Sequence, residues 1–406
     1  MNHGSVAVLL RGLCIDVTGK PQIVLYEPQR KDFFLNTAMR IELSPTESDE
    51  SAAAVIRKAY GEWKGAEGAA GAETRVSIPS CAALYVNRKL EALYWIDGDF
   101  DSAGKRLEEQ DASPRKVSAA KPGKQVSSEE RAGVVRNRIA LVTGGAQGIG
   151  EEIARNLASA GAFVYIADMN LTGAGNLAKE INTALGRKAA VAVEVNVSDE
   201  ASVEKMFNTV AETSGGLDLC VSNAGVLRAG SVLEQDLADF KFVTDVNYSG
   251  FFVMSKYAGR LLRLQHRTAP SWKTDIVQIN SKSGLEGSKK NGAYAGGKFG
   301  GLGLVASFAM ELIEYNIKVN AICPGNFLDG PLWSHPEKGL FVQYLKAGKV
   351  PGAKSTADVR AFYEAKVPMK RGCTGRDLIK ALFYIVEQEY ETGQAVPVTG
   401  GQVMLH

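Results

Sequence analysis

Cysteine and histidine are both scarce in this chain of 406 residues, which has five of the first and four of the second. The cysteines, Cys14, Cys81, Cys220, Cys323 and Cys373, are odd in number and widely spaced. That pattern speaks against a disulfide framework and for a reducing compartment, so a cytoplasmic location is expected. His3, His266, His335 and His406 pair with no cysteine at zinc-ligand spacing, and no metal site is expected. An excess of positive charge is missing too: the formal net charge is +2, which argues against a nucleic-acid partner. No apolar run approaches the length of a bilayer span, and no basic segment precedes the short apolar stretch Val6 to Leu10. Neither membrane insertion nor a signal peptide is therefore expected.

What is present is an ordinary globular composition, 45% apolar and 23% charged, in a chain long enough for a large and a small domain. Residues 1–100 read as a small α+β domain. Val6–Leu10 and Ile23–Tyr26 look like strands separated by the turn-forming Val17–Pro21. Ser44-Pro45-Thr46-Glu47 looks like a helix start, leading into a helix over Ala52–Trp63. Ala82–Val86 and Leu90–Trp95 flank Asn87-Arg88-Lys89 as a hairpin. This portion lacks a phosphate loop, a metal-ligand cluster and a nucleophile with a nearby base, so its role cannot be read. Residues 101–135, with Ser113-Pro114-Arg115-Lys116 and Ala120–Lys124, read as a polar linker, and residues 136–406 as the second domain.

Arg138–Thr143 is a continuously apolar run of the kind a buried parallel strand shows. It enters Gly144-Gly145-Ala146-Gln147-Gly148-Ile149-Gly150 and then a helical pattern. In that context glycines let a pyrophosphate approach the backbone, and the helix start offers free N–H groups. Phe163–Ala167 reads as the next strand and ends in Asp168, about twenty residues on, where a carboxylate would accept from ribose hydroxyls and repel a 2′-phosphate. NAD is thereby favoured over NADP, although an aspartate at a strand end can also be a simple helix cap. Strands and helices continue to alternate to Ile322, which predicts a doubly wound, Rossmann-like parallel sheet.

The stretch Asn280–Lys298 carries the chemistry. Tyr294 and Lys298, four apart, share one helix face, and Ser281 leaves the preceding strand thirteen residues before the tyrosine. A free phenol with a pKa near ~10 is a weak base at neutral pH, and lowering it to ~7 takes about 4 kcal/mol of preference for the phenolate. The Lys298 ammonium is the expected source. Ser281, which could otherwise be a turn serine, would hold the substrate oxygen as charge develops on it.

The glycine loop, Asp168, Asn223-Ala224-Gly225, Asn247, Ser281, Tyr294 and Lys298, in that order, give residues 136–406 a resemblance to the short-chain dehydrogenase/reductase family. The resemblance implies interconversion of a secondary alcohol and a ketone with NAD, with Asn247, Ser281, Tyr294 and Lys298 as the catalytic set. In that reading Asn247 interrupts its helix and holds a water that links Lys298 to solvent, and Asn223 lines the cofactor cleft and braces the sheet. The implied cofactor contacts are Thr143, Gly144, Gln147, Gly148, Ile149, Gly150, Asp168, Asn196, Val197, Asn223, Ala224, Gly225, Tyr294, Lys298, Pro324 and Gly325. Two departures stand out: an aspartate is usual near Asn196-Val197, and a threonine is usual after Pro324-Gly325. A homo-oligomer, tetramer or dimer, is also implied.

Asn280–Gly284, Tyr294–Gly301, Val367–Cys373 and Thr399–Met404 resemble more narrowly the family members that act on polyol phosphates. That implies a sugar or polyol phosphate as small-molecule substrate, with sorbitol 6-phosphate and a ketose phosphate expected. A phosphate dianion needs cationic partners when it is desolvated. Lys282, Lys289 and Lys290 surround the catalytic stretch, and Lys370-Arg371 could approach from the C-terminal lobe. The alternatives are another polyol, sugar or 3-oxoacyl reductase, or an NAD-sensing regulator acting through the N-terminal domain. A chain starting near Arg131 is expected to keep NAD binding, because every cofactor element lies beyond the linker.

Overall fold

A computed structural model of the chain describes residues 3–18, 20–28, 39–44, 48–68, 76–78, 81–86, 89–97, 101–103, 105, 115–117, 133–346 and 348–404. The N-terminal portion consists of α1 (His3–Thr18), β1 (Ile23–Pro28), β2 (Met39–Leu43), α2 (Asp49–Gly68), β3 (Val76–Ile78), β4 (Cys81–Val86), β5 (Lys89–Asp97) and β6 (Arg115–Val117). The larger portion begins with β7 (Ile139–Thr143), α3 (Gly148–Ser159), β8 (Phe163–Asp168), α4 (Leu171–Leu185), β9 (Ala190–Glu194), α5 (Glu200–Ser214) and β10 (Leu219–Ser222). It continues through α6 (Leu237–Thr244), α7 (Gly250–His266), β11 (Thr274–Ile279), α8 (Gly292–Leu312) and β12 (Ile317–Pro324). It ends with α9 (Pro331–Ser334), α10 (Leu340–Lys346), α11 (Thr356–Ala365), α12 (Gly375–Glu387) and β13 (Ala395–Val398).

Strands β7 to β13 form one sheet in the order β13-β12-β11-β10-β7-β8-β9, and every pairing in it is parallel. Parallel strands need crossovers, and these place helices on both faces, so β7, β11 and β12 are buried along their whole length. On one face α3, α4 and α12 contribute Ile153, Leu157, Leu177, Ile181, Leu378 and Leu382 to the core. On the other, α5, α7 and α8 contribute Phe207, Val210, Phe251, Met254, Leu262 and Val305. The chain runs outward from β7 to β9 and then returns to β10 on the opposite side of β7. That reversal opens a crevice at the carboxyl ends of the strands, where the glycine loop begins.

The N-terminal sheet has the order β1-β5-β4-β2. Its β1–β5 and β4–β5 pairings are antiparallel, as the hairpin reading required, and β2 pairs parallel to β4. The Asn87-Arg88 turn, Pro45-Thr46-Glu47, and residues 113–114 and 120–124 lie outside the described residues. Two expectations are corrected. Val6–Leu10 belongs to helix α1, not to a strand. All five side chains are at most 1% exposed, and a helix buried all round shows no apolar periodicity to distinguish it from a buried strand. The stretch read as a linker contains β6, which pairs antiparallel with β3.

Helix α1 also joins the two portions. Val8, Ile23, Leu25, Leu93 and Trp95 share one continuous apolar cluster with Ile139, Phe163, Phe207 and Leu262. Within the contact, Arg11 is fully buried and donates to Gln22 O at 2.6 Å, Gln265 Oε1 at 2.7 Å and Asp218 Oδ2 at 2.6 Å. A Cβ at Gly12 would overlap Thr268 Oγ1, so glycine is what lets α1 approach the end of α7. No helix among the described residues is long and apolar enough to cross a membrane.

Candidate active site

The crevice is framed by short polar contacts between segments far apart in sequence. Thr143 Oγ1 accepts from Asn223 N at 3.0 Å and Ala224 N at 3.1 Å, while Asn223 Nδ2 donates to Thr143 O at 2.9 Å and Gly144 O at 3.2 Å. Asn223 therefore ties β10 to the start of the glycine loop, where a buried backbone carbonyl would otherwise lack a partner. Gly144 and Gly148 both adopt φ of 60°. A Cβ at Gly150 would overlap Gly144 O, so the tight turn admits only glycine there. Gln147 caps α3 with its backbone alone and makes no side-chain cap, which leaves the first N–H groups of the helix open toward the crevice.

Asp168 ends β8 with one oxygen accepting from Ala146 N at 3.0 Å and the other from Asn170 N at 2.9 Å. Each oxygen keeps a lone pair for a further donor. Val195 N donates to Asp168 O at 3.1 Å, so Asn196 and Val197 leave the same sheet edge one strand over. Pro324 closes β12, and Gly325 N donates to Val398 O at 2.9 Å. Glycine turn, open helix start and ribose-facing carboxylate together fit a dinucleotide: Gly144, Gln147, Gly148 and Ile149 would hold its pyrophosphate and Asp168 its adenosine ribose.

The side chains expected to react lie together at the other wall. Ser281 follows β11, and its Oγ accepts from Ser283 N at 3.1 Å while facing the Tyr294 phenol. Tyr294 and Lys298 lie on the first turns of α8, with Lys298 Nζ 5.7 Å from the tyrosine ring centroid. Lys298 is buried and donates to Ile279 O at 2.8 Å. Helix α8 comes this close because it is glycine-rich: a Cβ at Gly300 would sit 2.8 Å from the Tyr248 ring, and one at Gly301 2.6 Å from Gln278 Nε2. Asn247 lies in a π-helical turn, Asp245–Ser249, between α6 and α7. Its side chain pairs with the Val226 backbone, accepting from N at 2.9 Å and donating to O at 2.8 Å, which satisfies both polar groups of that loop residue. A Cβ at Gly225 would lie 3.1 Å from Asn247 Oδ1 and 3.8 Å from Lys298 Nζ, so Asn223-Ala224-Gly225 and Asn247 converge on the lysine.

Electrostatics modify the expectation for the acid–base pair. Burial holds the Tyr294 phenol above its ordinary range; Ser281 acts against this, and Tyr344 and Cys323 add to it. Burial also brings Lys298 down to about 8. The ammonium therefore stays mostly charged at neutral pH, while the chain alone leaves the tyrosine protonated. The neutral phenol is the resting form, ready to donate a proton.

The substrate side of the cleft contains residues that the sequence did not single out. Tyr344 of α10 stands near Tyr294 and faces Asn291, the residue that precedes α8. It packs with Trp333, Phe341 and Val359 in a small apolar cluster formed by α9, α10 and α11. Pro331, at the start of α9, would lie 3.2 Å from a Cβ at Gly148, so this lobe reaches back to the glycine loop. Of the candidate phosphate ligands, Lys282 is half-buried beside Ser281, whereas Lys289 and Lys290 are exposed. Lys370 and Arg371 are committed elsewhere: Lys370 Nζ donates to Ala365 O at 2.9 Å, and Arg371 grips Asp377 through two contacts of 2.6 and 3.0 Å. The aromatic density between Trp333 and Tyr363 was the available signal for this lobe, but it reads equally well as ordinary core.

Comparison with known proteins decides what this arrangement is. Residues 138–335 match the family model of short chain dehydrogenases. Sorbitol-6-phosphate 2-dehydrogenase of Escherichia coli (strain K12) is 37% identical over 274 residues, a match that spans 66% of this chain and 99% of that protein. The chain belongs to the short-chain dehydrogenase family. This short-chain dehydrogenase is also similar to the crystal structure of sorbitol-6-phosphate 2-dehydrogenase from Erwinia amylovora, at 39% identity and TM-score 0.60, covering 66% of this chain and 100% of that one. Meso-2,3-butanediol dehydrogenase of Serratia marcescens is 31% identical over 254 residues, 59% of this chain and 96% of that protein. The enzyme is thus an oxidoreductase acting on CH–OH groups with a nicotinamide cofactor.

Proposed function

We propose that the enzyme interconverts sorbitol 6-phosphate and fructose 6-phosphate with NAD, as a cytoplasmic homo-oligomer, dimer or tetramer. One observation carries the substrate: the residue next to the catalytic serine is Lys282, a half-buried cation with no ion pair among the described residues. The two sorbitol-6-phosphate dehydrogenases among the similar proteins support the same substrate. Asp168 supports NAD, because a 2′-phosphate beside its carboxylate would meet like charge, and none of Met169, Asn170 and Leu171 is cationic.

In this reading Ser281 and Tyr294 hydrogen-bond the substrate oxygen together. Tyr294 takes the hydroxyl proton during oxidation and returns it during reduction. Lys298 keeps a positive charge one helical turn away and favours the phenolate when it forms. Asn247 fixes the loop at Val226, and through it the wall facing Lys298. Bound NAD supplies the acceptor for the hydride that leaves the alcohol carbon. General acid–base catalysis contributes about 10²- to 10⁴-fold, so Tyr294→Phe should lower kcat/KM for sorbitol 6-phosphate by that factor. Near-normal turnover by a Tyr294→Phe enzyme that still binds NADH, followed by fluorescence, would sink the assignment.

A further inference from the structure

At the mouth of the cleft, cations from separate segments surround one aromatic pair. The rings of Tyr344 and Tyr363 lie 5.5 Å apart. Lys349 Nζ stands 3.8 Å from the Tyr344 ring centroid. Lys366 Nζ stands 4.2 Å from the Phe362 centroid and 5.6 Å from that of Tyr363. Lys282, directly after Ser281, stands close enough to Lys349 and Lys366 to feel their charges. None of the three has an ion pair among the described residues. Lys290 stands at the rim in the left-handed region, φ 62°, its carbonyl accepting from Gly230 N at 2.9 Å. Left-handed backbone is unfavourable for a lysine and needs such an anchor to persist.

The charges feel one another. Burial lowers the pKa of Lys282; Glu286 acts against the shift, and Lys366 and Lys349 add to it. Burial lowers Lys349 as well, with Lys290 adding. Aromatic faces attract ammonium groups without neutralising them, so Lys349 and Lys366 keep positive charge that an anion can pair with. Beneath it lies a second unmet demand. Asn291 is only 6% exposed and donates through Nδ2 to Ser288 Oγ at 3.0 Å, yet its buried Oδ1 has no partner. A buried acceptor without a donor is costly unless a ligand supplies one, and a polyol hydroxyl is such a donor.

We propose that Lys282, Lys349 and Lys366, gathered around the Tyr344–Tyr363 ring pair, hold the substrate's phosphate, and that Asn291 Oδ1 accepts a hydrogen bond from a hydroxyl of the same substrate. This rests on the polyol-phosphate reading and extends it to residues of the C-terminal lobe. The aromatic faces fix Lys349 and Lys366 before the substrate arrives, which limits the ordering cost of binding. Lys289 has no part in the site, having no described contact with the cluster.

The test compares KM and kcat for sorbitol 6-phosphate and for free sorbitol in wild type, Lys349→Ala and Lys366→Ala, with the exposed Lys205→Ala of α5 as control. Losing one charge-assisted hydrogen bond should raise KM for the phosphorylated substrate about tenfold or more. KM for free sorbitol and kcat for both substrates should hold, and Lys349→Arg should restore much of the loss. Asn291→Ala should lower kcat/KM equally for both substrates, because it meets a hydroxyl. Inorganic phosphate should compete with sorbitol 6-phosphate in the wild type and lose potency in both lysine variants. If wild type prefers the phosphorylated polyol while both variants keep its KM, the cradle is wrong and the substrate reading stands. If wild type shows no such preference, the substrate reading fails and the cradle fails with it.

Discussion

Burial dominates the behaviour of single residues in this cleft. Tyr294 is held protonated and Lys298 is brought down to about 8, each chiefly by burial. The sign of the pH dependence follows. Oxidation needs the phenolate, so its kcat/KM should rise with pH through the neutral range. Reduction needs the phenol, so its rate should be full at low pH and fall as the phenol ionises. Above about 8, Lys298 loses the charge that favours the phenolate, and the rise in oxidation should level or reverse there. Lys298→Arg, which cannot lose its charge in that range, should move this limb upward. Paired pH–rate profiles check this, and an oxidation rate independent of pH would contradict it. The grouping of the proposed acid–base residues was legible in the sequence because their spacing is local: Tyr294 and Lys298 share a helix turn, and Ser281 leaves the preceding strand. Tyr344, Lys349, Lys366 and Asn291 were not. Their relation to the catalytic residues exists only once α10 and α11 fold over the cleft, and no short-range pattern encodes that.

Among the elements, α1 and β6 were misread from the sequence, and α1 is the one with energetic consequences. A fully buried helix and a buried strand write the same apolar run, and the run Val6–Leu10 ends at Arg11. In the structure Arg11 is the pivot of the contact. Its partner Asp218 also accepts from Ile139 N at 2.7 Å and Trp272 Nε1 at 2.9 Å, so one carboxylate links α1, β7 and the approach to β11. Arg11→Met would leave Asp218 buried without its counter-charge, a loss of about 3–5 kcal/mol for a broken buried pair. The double variant Arg11→Met, Asp218→Asn should cost less than Arg11→Met alone, because the uncompensated charge is gone. Urea unfolding of the three proteins measures the difference, and a larger loss in the double variant would refute the pairing as the source. The same titration on a chain starting near Arg131 should show an early, broad transition. All cofactor-binding segments remain in it, but Asp218 and the faces of α5 and α7 that α1 covers would be exposed. NAD binding by this truncation is still the expected outcome, because every cofactor element lies beyond Arg131, and NADH fluorescence checks it.

For the whole molecule, the parallel sheet, its switch point and the glycine loop were legible because alternation and apolar runs report a doubly wound fold directly. The relation between the two portions was not, since a shared core is built from contacts over long sequence distances. The Erwinia amylovora enzyme matches over its entire length with only 66% of this chain, so the fold itself does not require the added N-terminal elements. In this chain they cover apolar surface on α5 and α7 through α1, at the amino-terminal edge of the sheet and away from Tyr294. Exposed Leu237, Phe240, Phe252, Phe299 and Met310 leave an apolar surface on α6, α7 and α8 that suits the proposed homo-oligomer. The central claim joins the acid–base pair, the carboxylate that favours NAD and the cations that favour a phosphate in one reaction. The most direct measurement is the initial rate of cofactor reduction with sorbitol 6-phosphate and with sorbitol, each with NAD and with NADP. The account predicts the highest kcat/KM for sorbitol 6-phosphate with NAD, at least tenfold above either change alone, on the order of one charge-assisted interaction. Equal rates with and without the phosphate, or a preference for NADP, would contradict it.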